Sequence, residues 1–301
     1  MNFLLLAASN PVEHVVDKPI HGFVLPGGHE LTMHVMNMIV VAVLLVITLV
    51  AAARAIGTGP ESAGNERYIT KGRFSQLIEV VVLYLMSNVI EPQLGEKARK
   101  FAPFLLTTFF FVLYNNLFGL VPFMDLQHLL GIHHPVLGGT ATGNIAVTAA
   151  LAIVAFLVIQ VTGIRSLGLF GYIKHYTGGV APALWPIMIP VEIMGTFIKP
   201  FALAVRLFAN MTAGHVLLAT LLMFCALSFE KLGVWGGGPV TIVSIVSSVA
   251  IMFLELFVAF LQAFVFMFLT AMFIGQLSHG HHDDHGHDHD HKHEPAHAHA
   301  H

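Results

Sequence analysis

Apolar residues gather along this chain into long runs parted by short polar or glycine- and proline-rich stretches. The first convincing run, residues 34–53, has the length of about 20 residues that carries a helix across a bilayer. Residues 54–71, rich in Gly, Pro and charge, read as a loop. From 73 to 89 apolar positions recur near helical spacing and are interrupted by Glu79, Ser87 and Asn88, which predicts an interfacial or tilted helix. Pro92 and the cluster Glu96, Lys97, Arg99 and Lys100 are expected to close it. Further spans fall at 103–121, ended by Gly119 and Pro122, and at 144–162.

Two longer helical segments follow, 186–229 and 240–276, with a turn at 230–239 that holds Gly236, Gly237 and Gly238. At 1.5 Å per residue each reaches roughly 55 to 65 Å, about twice the hydrocarbon thickness, so they must lie steeply tilted. The pattern predicts an all-α integral membrane protein with about five crossings plus an interfacial helix, the last two crossings forming a long, strongly tilted hairpin. Residues 1–33 form an outer segment, 34–277 the membrane domain with the hairpin 186–276 at its core, and 278–301 a tail.

Charge orients these elements. Residues 54–102 carry seven of the chain's fourteen Lys and Arg, and residues 123–143 carry none. The positive-inside rule then puts the amino terminus outside and the carboxyl terminus in the cytoplasm. Arg165 and Lys174 agree, and Tyr172, Tyr176 and Trp185 suit headgroup level. Composition supports a membrane body, with 56% hydrophobic and 10% charged residues and a mean hydropathy of +0.77. Cys225, the single cysteine, excludes an intramolecular disulfide and reads as a small buried hydrophobe. Residues 2–9 lack the basic flank of a cleaved leader, and without a transit peptide a bacterial plasma membrane is expected.

Against this apolar background Arg206 stands out. A guanidinium stays protonated, and holding one near a bilayer midplane costs from about 3 to well over 10 kcal/mol, so it marks a site that handles an anion or moving charge. At about 100° per residue Glu192, Lys199, Arg206 and Asn210 fall within about 40° of one another, flanked by the small residues Gly195, Ala202, Ala209 and Ala213. Small side chains admit a partner helix, which would meet the guanidinium. His215 points to the opposite side of the same helix. On the second hairpin helix Glu255 and Gln262 share a face, and an imidazole and a carboxyl at His215 and Glu255 can both relay protons. A structural ion pair at Arg206 is the plainer alternative.

The run Lys199-Pro200-Phe201-Ala202-Leu203-Ala204-Val205-Arg206-Leu207-Phe208-Ala209-Asn210-Met211, continued by Ala213-Gly214-His215, resembles the signature of subunit a of F-type ATP synthases. So does Leu261-Gln262-Ala263-Phe264-Val265-Phe266 with Leu269 and Thr270, and Asn115-Asn116-Leu117-Phe118-Gly119-Leu120-Val121-Pro122 and Thr142-Gly143-Asn144 add weaker echoes. The resemblance implies a membrane stator that stands beside a ring of c subunits and works with subunit b of the peripheral stalk and the rest of the ATP synthase. It implies that Arg206 meets each ring carboxylate, that Asn210, His215, Glu255 and Gln262 lie along the outer path or beside the arginine, and that Glu192 lies in the inner path. Many relatives have an acid at the position of His215 and a histidine at that of Glu255. Here the two are exchanged, which keeps one imidazole and one carboxyl together.

No cofactor is implied, and no phosphate-cradling glycine loop with Lys and Ser or Thr is present, so nucleotide chemistry would belong to other chains. Nor is a nucleic-acid partner expected; the lipid bilayer is. Asp125 would suit the outer mouth or a plain loop. The tail from His279 to His301 holds eleven histidines and predicts a solvated low-complexity segment, with His281, His282 and His285 as weak metal chelators at most. A stand-alone cation or metal transporter using that tail is the rival reading, but no internal repeat or membrane ligand set accompanies it. His29-Glu30 with His34 misses the zinc-peptidase spacing by one residue.

Overall fold

The computed structural model describes residues 17, 19–24, 30–55, 70, 72–121, 123, 127, 130–131, 138–175, 177 and 182–279. Five helical stretches are long and apolar enough to cross a membrane: Met33–Ala55, Arg73–Gly119, Ile145–Gly168, Pro182–Gly233 and Trp235–Leu277. The membrane body is all-α, and the last two stretches form a long hairpin. A short antiparallel pair, β1 (Pro19–Val24) and β2 (Glu30–Thr32), precedes it. The helical pattern gave no hint of this pair, which lies in the segment before the first span.

Helix α1 (Met33–Ala55) is a near-continuous apolar run whose last turn carries Arg54, favourably placed against the helix dipole. The expected helix at 73–89 is α-helical over α2 (Arg73–Leu85), widens into a π turn at Met86–Ile90 and continues as α3 (Glu91–Leu94). Pro92 does not close it. Proline sits in the first turn of α3, directly after the π turn. The chain turns instead at Gly95, φ 54°, and after a 3-10 turn at Gly95–Lys97 enters α4 (Ala98–Gly119). Helix α5 (Ile145–His175) runs beyond the expected 162 and kinks at Gly168, φ 70°.

The hairpin, α6 (Trp185–His279), also turns elsewhere than expected. Its helical geometry breaks only at Gly233 (φ 63°, ψ −167°), so one glycine in the left-handed range replaces the ten-residue turn. Gly236, Gly237 and Gly238 are helical. A Cβ on Gly237 would lie 2.9 Å from Phe229 Cα and 3.0 Å from Ser228 O, so its missing side chain lets the second arm leave the turn against the first. Pro190 and Pro200 stay inside the first arm. The arms, 52 and 43 residues by the membrane-span bounds, reach about 78 and 65 Å at 1.5 Å per residue and exceed a hydrocarbon layer of about 30 Å.

Helices α4 and α5 pack on α6. The core joins Leu85, Ile90, Leu105, Phe109 and Val112 to Leu207, Met267 and Ile274. Hydrocarbon lipid is as apolar as leucine, so close van der Waals contact decides which faces pair. Ala259, Ala263 and Ala271 are fully buried along one face of the second arm, and Gly275 touches the Gln93 carbonyl where a Cβ would overlap. The opposite faces are open: Val46, Ile47, Phe253 and Phe257 are each about 60% exposed or more. Such a surface suits lipid or a partner helix.

Candidate functional site

On the first arm of α6, Leu203, Leu207 and Met211 recur every fourth residue and are buried against the bundle. Ala202, Arg206, Ala209 and Ala213 fall on the other side and are exposed. The guanidinium therefore stands on a shallow stripe of methyl groups, with no carboxylate paired to it among the described residues. Asn210, one turn on, is half-buried.

His215 faces inward, as its half-turn offset from Arg206 requires. Its Nε2 lies 2.5 Å from Thr140 Oγ1, the threonine coming from the extended residues before a 3-10 turn at Ala141–Gly143. Thr142 Oγ1 donates to Asn116 Oδ1 at 2.9 Å, and Asn116 Nδ2 donates to the Ala259 carbonyl at 3.3 Å. The two asparagine bonds tie the turn to α4 and to the second arm. Asn37 Nδ2 donates to the Gly138 and Gly139 carbonyls, both at 2.8 Å, and ties α1 to the same loop.

Glu255 crosses from the second arm to reach Gly214. A Cβ there would overlap its Oε1, so the glycine beside His215 is what admits the carboxyl. Both Glu255 oxygens are buried without a hydrogen bond among the described residues, and so is Gln262 Nε2 two turns along. A buried acceptor left unpaired costs about 1 to 3 kcal/mol, more for a charged group.

Glu192 lies in a different place. Half-buried, it lines a cavity of about 60 Å³ with Gln160, Tyr172, Thr196, Lys199 and Gln276. The Tyr172 hydroxyl donates to Gln160 Oε1, and Lys199 Nζ sits 4.7 Å from the centre of the Phe273 ring, a cation–π contact. At 1.5 Å per residue Glu192 lies about 21 Å before Arg206 along the helix, and His215 about 14 Å after it.

The sequence model of the ATP synthase A chain family matches residues 34–275, which hold all of these groups on α1, α4, α5 and both arms. The chain belongs to that family. It is similar to the ATP synthase subunit a of Myxococcus xanthus, 43% identical over 276 residues that cover 88% of this chain and 81% of the relative. The subunit a of Chloroherpeton thalassium is 41% identical over 86% of the chain and 70% of the relative. That of an Anaeromyxobacter species is 40% identical over 90% of the chain and 61% of the relative.

Within this family member, the fold brings His215 and Glu255 to neighbouring positions across the hairpin, with Gln262 farther along the second arm. Arg206 and Asn210 lie apart from them, and Glu192 joins Lys199 in the cavity. Asp125 and the tail histidines His281, His282 and His285 lie outside the described residues. Sequence reading missed Thr140 and gave His34 no role beyond a failed zinc motif. His34 is 3% exposed at the head of α1. A histidine at the edge of an apolar run was the available signal, but its neighbours come from loops whose paths the sequence does not reveal.

Proposed function

We propose that this chain is the proton-conducting stator of an F-type ATP synthase, standing beside a ring of c subunits and held by subunit b of a peripheral stalk. Protons reach the ring from the outer side past His215 and Glu255, with Asn210 and Gln262 beside the path, and leave to the inner side past Glu192. The observation that carries this reading is the axial order on the first arm. An exposed arginine, unpaired among the described residues, stands between an enclosed polar cluster and a separate polar cavity.

The chemistry follows from that order. Arg206 favours the ionised form of each ring carboxylate that reaches it, so the carboxylate must release its proton toward one side and take another from the other side. A fixed cation also repels a proton moving straight between the two sites. Transmembrane potential contributes about 2.3 kcal/mol per charge per 100 mV, so several protons are summed for each ATP. Nucleotide chemistry belongs to other chains, and the setting is a bacterial plasma membrane with the amino terminus outside and the carboxyl terminus in the cytoplasm.

ATP-driven proton pumping in inverted membrane vesicles tests the reading. Arg206→Ala should assemble normally and lose coupled pumping. Normal pumping by that variant would make the arginine structural and end this mechanism for the chain.

A further inference from the structure

The strand pair ahead of α1 fixes a contact that no helical pattern contains. Pro19 pairs with Thr32, and Asp17, two residues before β1, comes beside His34, two residues past β2 in the first turn of α1. The His34 backbone N–H donates to Asp17 Oδ1 at 3.2 Å, and its ring Nδ1 lies 3.9 Å from Asp17 Oδ2. Asn144, at the head of α5, donates its Nδ2 to the same Oδ2 at 2.8 Å. The Asp17 side chain is 19% exposed and that of His34 only 4%. One end of this pair reaches solvent and the other is enclosed.

The enclosed end leads toward His215. The His34 ring lies over Gly139, where φ is +68° and a Cβ would overlap ring Nε2. A Cβ on Gly143 would stand 3.9 Å from His34 Cε1 and 3.8 Å from Thr140 Cβ, so the His34 ring and the Thr140 side chain converge beside two bare glycines. The Thr140 hydroxyl in turn lies 2.5 Å from His215 Nε2. His34 Nδ1 is buried without a hydrogen bond among the described residues, and the Asp17 carboxylate lies 3.9 Å from it. A buried ring nitrogen without a bond has its proton-handling capacity free.

We propose that Asp17 and His34 form the first proton-binding stage of the outer path, feeding His215 through the Thr140 hydroxyl. Asp17 takes a proton from the aqueous side and passes it to His34 Nδ1. His34 releases the proton on Nε2 to the Thr140 oxygen as that hydroxyl gives its own proton to His215. Asp17, His34 and Thr140 each gain one proton and lose one, His215 holds the one delivered, and the path resets when the ring and hydroxyl reorient. The titratable groups described around His34 are Asp17, His215 and Glu255, and Asp17 is the one at the solvent edge. The inference rests on the proton-path reading above.

The test uses the complete synthase in inverted vesicles, with the assembled complex quantified for each variant. Asp17→Asn keeps an oxygen for the His34 N–H but cannot carry a proton, and should lower ATP-driven pumping by about tenfold or more. His34→Ala should do the same, and Asp17→Glu should restore much of the rate. A purely structural Asp17 would leave unchanged the dependence of ATP synthesis on lumenal pH at constant proton motive force, whereas the proposed role requires Asp17→Asn to shift it. Wild-type pumping with an unshifted profile in Asp17→Asn overturns the proposal, as does a loss of pumping that only tracks lost assembly. If His34→Ala does not assemble, Asp17→Asn decides alone. Arg206→Ala in the same preparation keeps the two readings apart, because normal pumping there would sink the whole proton path and not this stage of it.

Discussion

Around His215 the polar groups come from five separate segments and lie against one another, whereas around Glu192 they line a cavity. Hydrogen bonds join Thr140 to His215 and His34 to Asp17, and glycines at 139, 143 and 214 leave room for side chains from elsewhere, Glu255 among them. Glu192, Lys199, Gln160 and Tyr172 enclose about 60 Å³, above the roughly 10–15 Å³ that one water needs. Under the proposed function, the difference teaches that one chain can offer a proton two kinds of route. A contact series depends on every member, and a wettable cavity tolerates the loss of one.

That contrast can be broken at its most crowded point. Gly214→Val puts a branched side chain where Glu255 Oε1 lies, and ATP-driven pumping should fall by about 100-fold, the lower end of the range for losing a positioned proton carrier. Retained pumping would show that Glu255 does not need its place beside His215. Thr140→Val removes the hydroxyl at nearly constant shape and should cost about tenfold, with Thr140→Ser close to wild type in the same vesicles. Equal rates for the two would reduce Thr140 to a packing residue.

Smaller effects sharpen the other half of the comparison. Glu192→Gln leaves a polar group in the cavity and should lower pumping only about three- to fivefold, a change of roughly 0.7 to 1 kcal/mol in the barrier. A loss as deep as that of Gly214→Val would mean that the cavity has no second carrier. Asn37→Ala breaks two bonds to the 138–139 carbonyls and should destabilise the assembled subunit by about 1 to 3 kcal/mol, read as a lower midpoint of thermal release from the complex. Its pumping rate per assembled complex should change least of all.

Much of the membrane body was legible along the chain. The five spans follow from runs of apolar residues long enough to cross a bilayer, and the inward and outward faces of the first arm follow from counting at 100° per residue between Arg206 and His215. Breaks were less legible. Pro92 looked like a stop and sits in a first turn; three glycines looked like a loop and lie in the second arm, while Gly233 makes the turn. Glycine serves both for positive φ and for close approach, and only the neighbours tell which use applies.

The sequence by itself determined that this is a multi-spanning helical membrane protein of the ATP synthase A chain family with a charged residue at Arg206, because lipid demands long apolar helices and makes an arginine among them costly. The tertiary structure decided which polar groups meet. Asp17 reaches His34 where the strand pair meets the first turn of α1, Thr140 reaches His215 from the extended residues before the 3-10 turn at Ala141–Gly143, and Glu255 reaches His215's neighbour through the bare Gly214. Helical periodicity assigns a side chain to a face, but contacts between separate segments depend on register, loop path and the absence of a Cβ, none of which repeats with the helix.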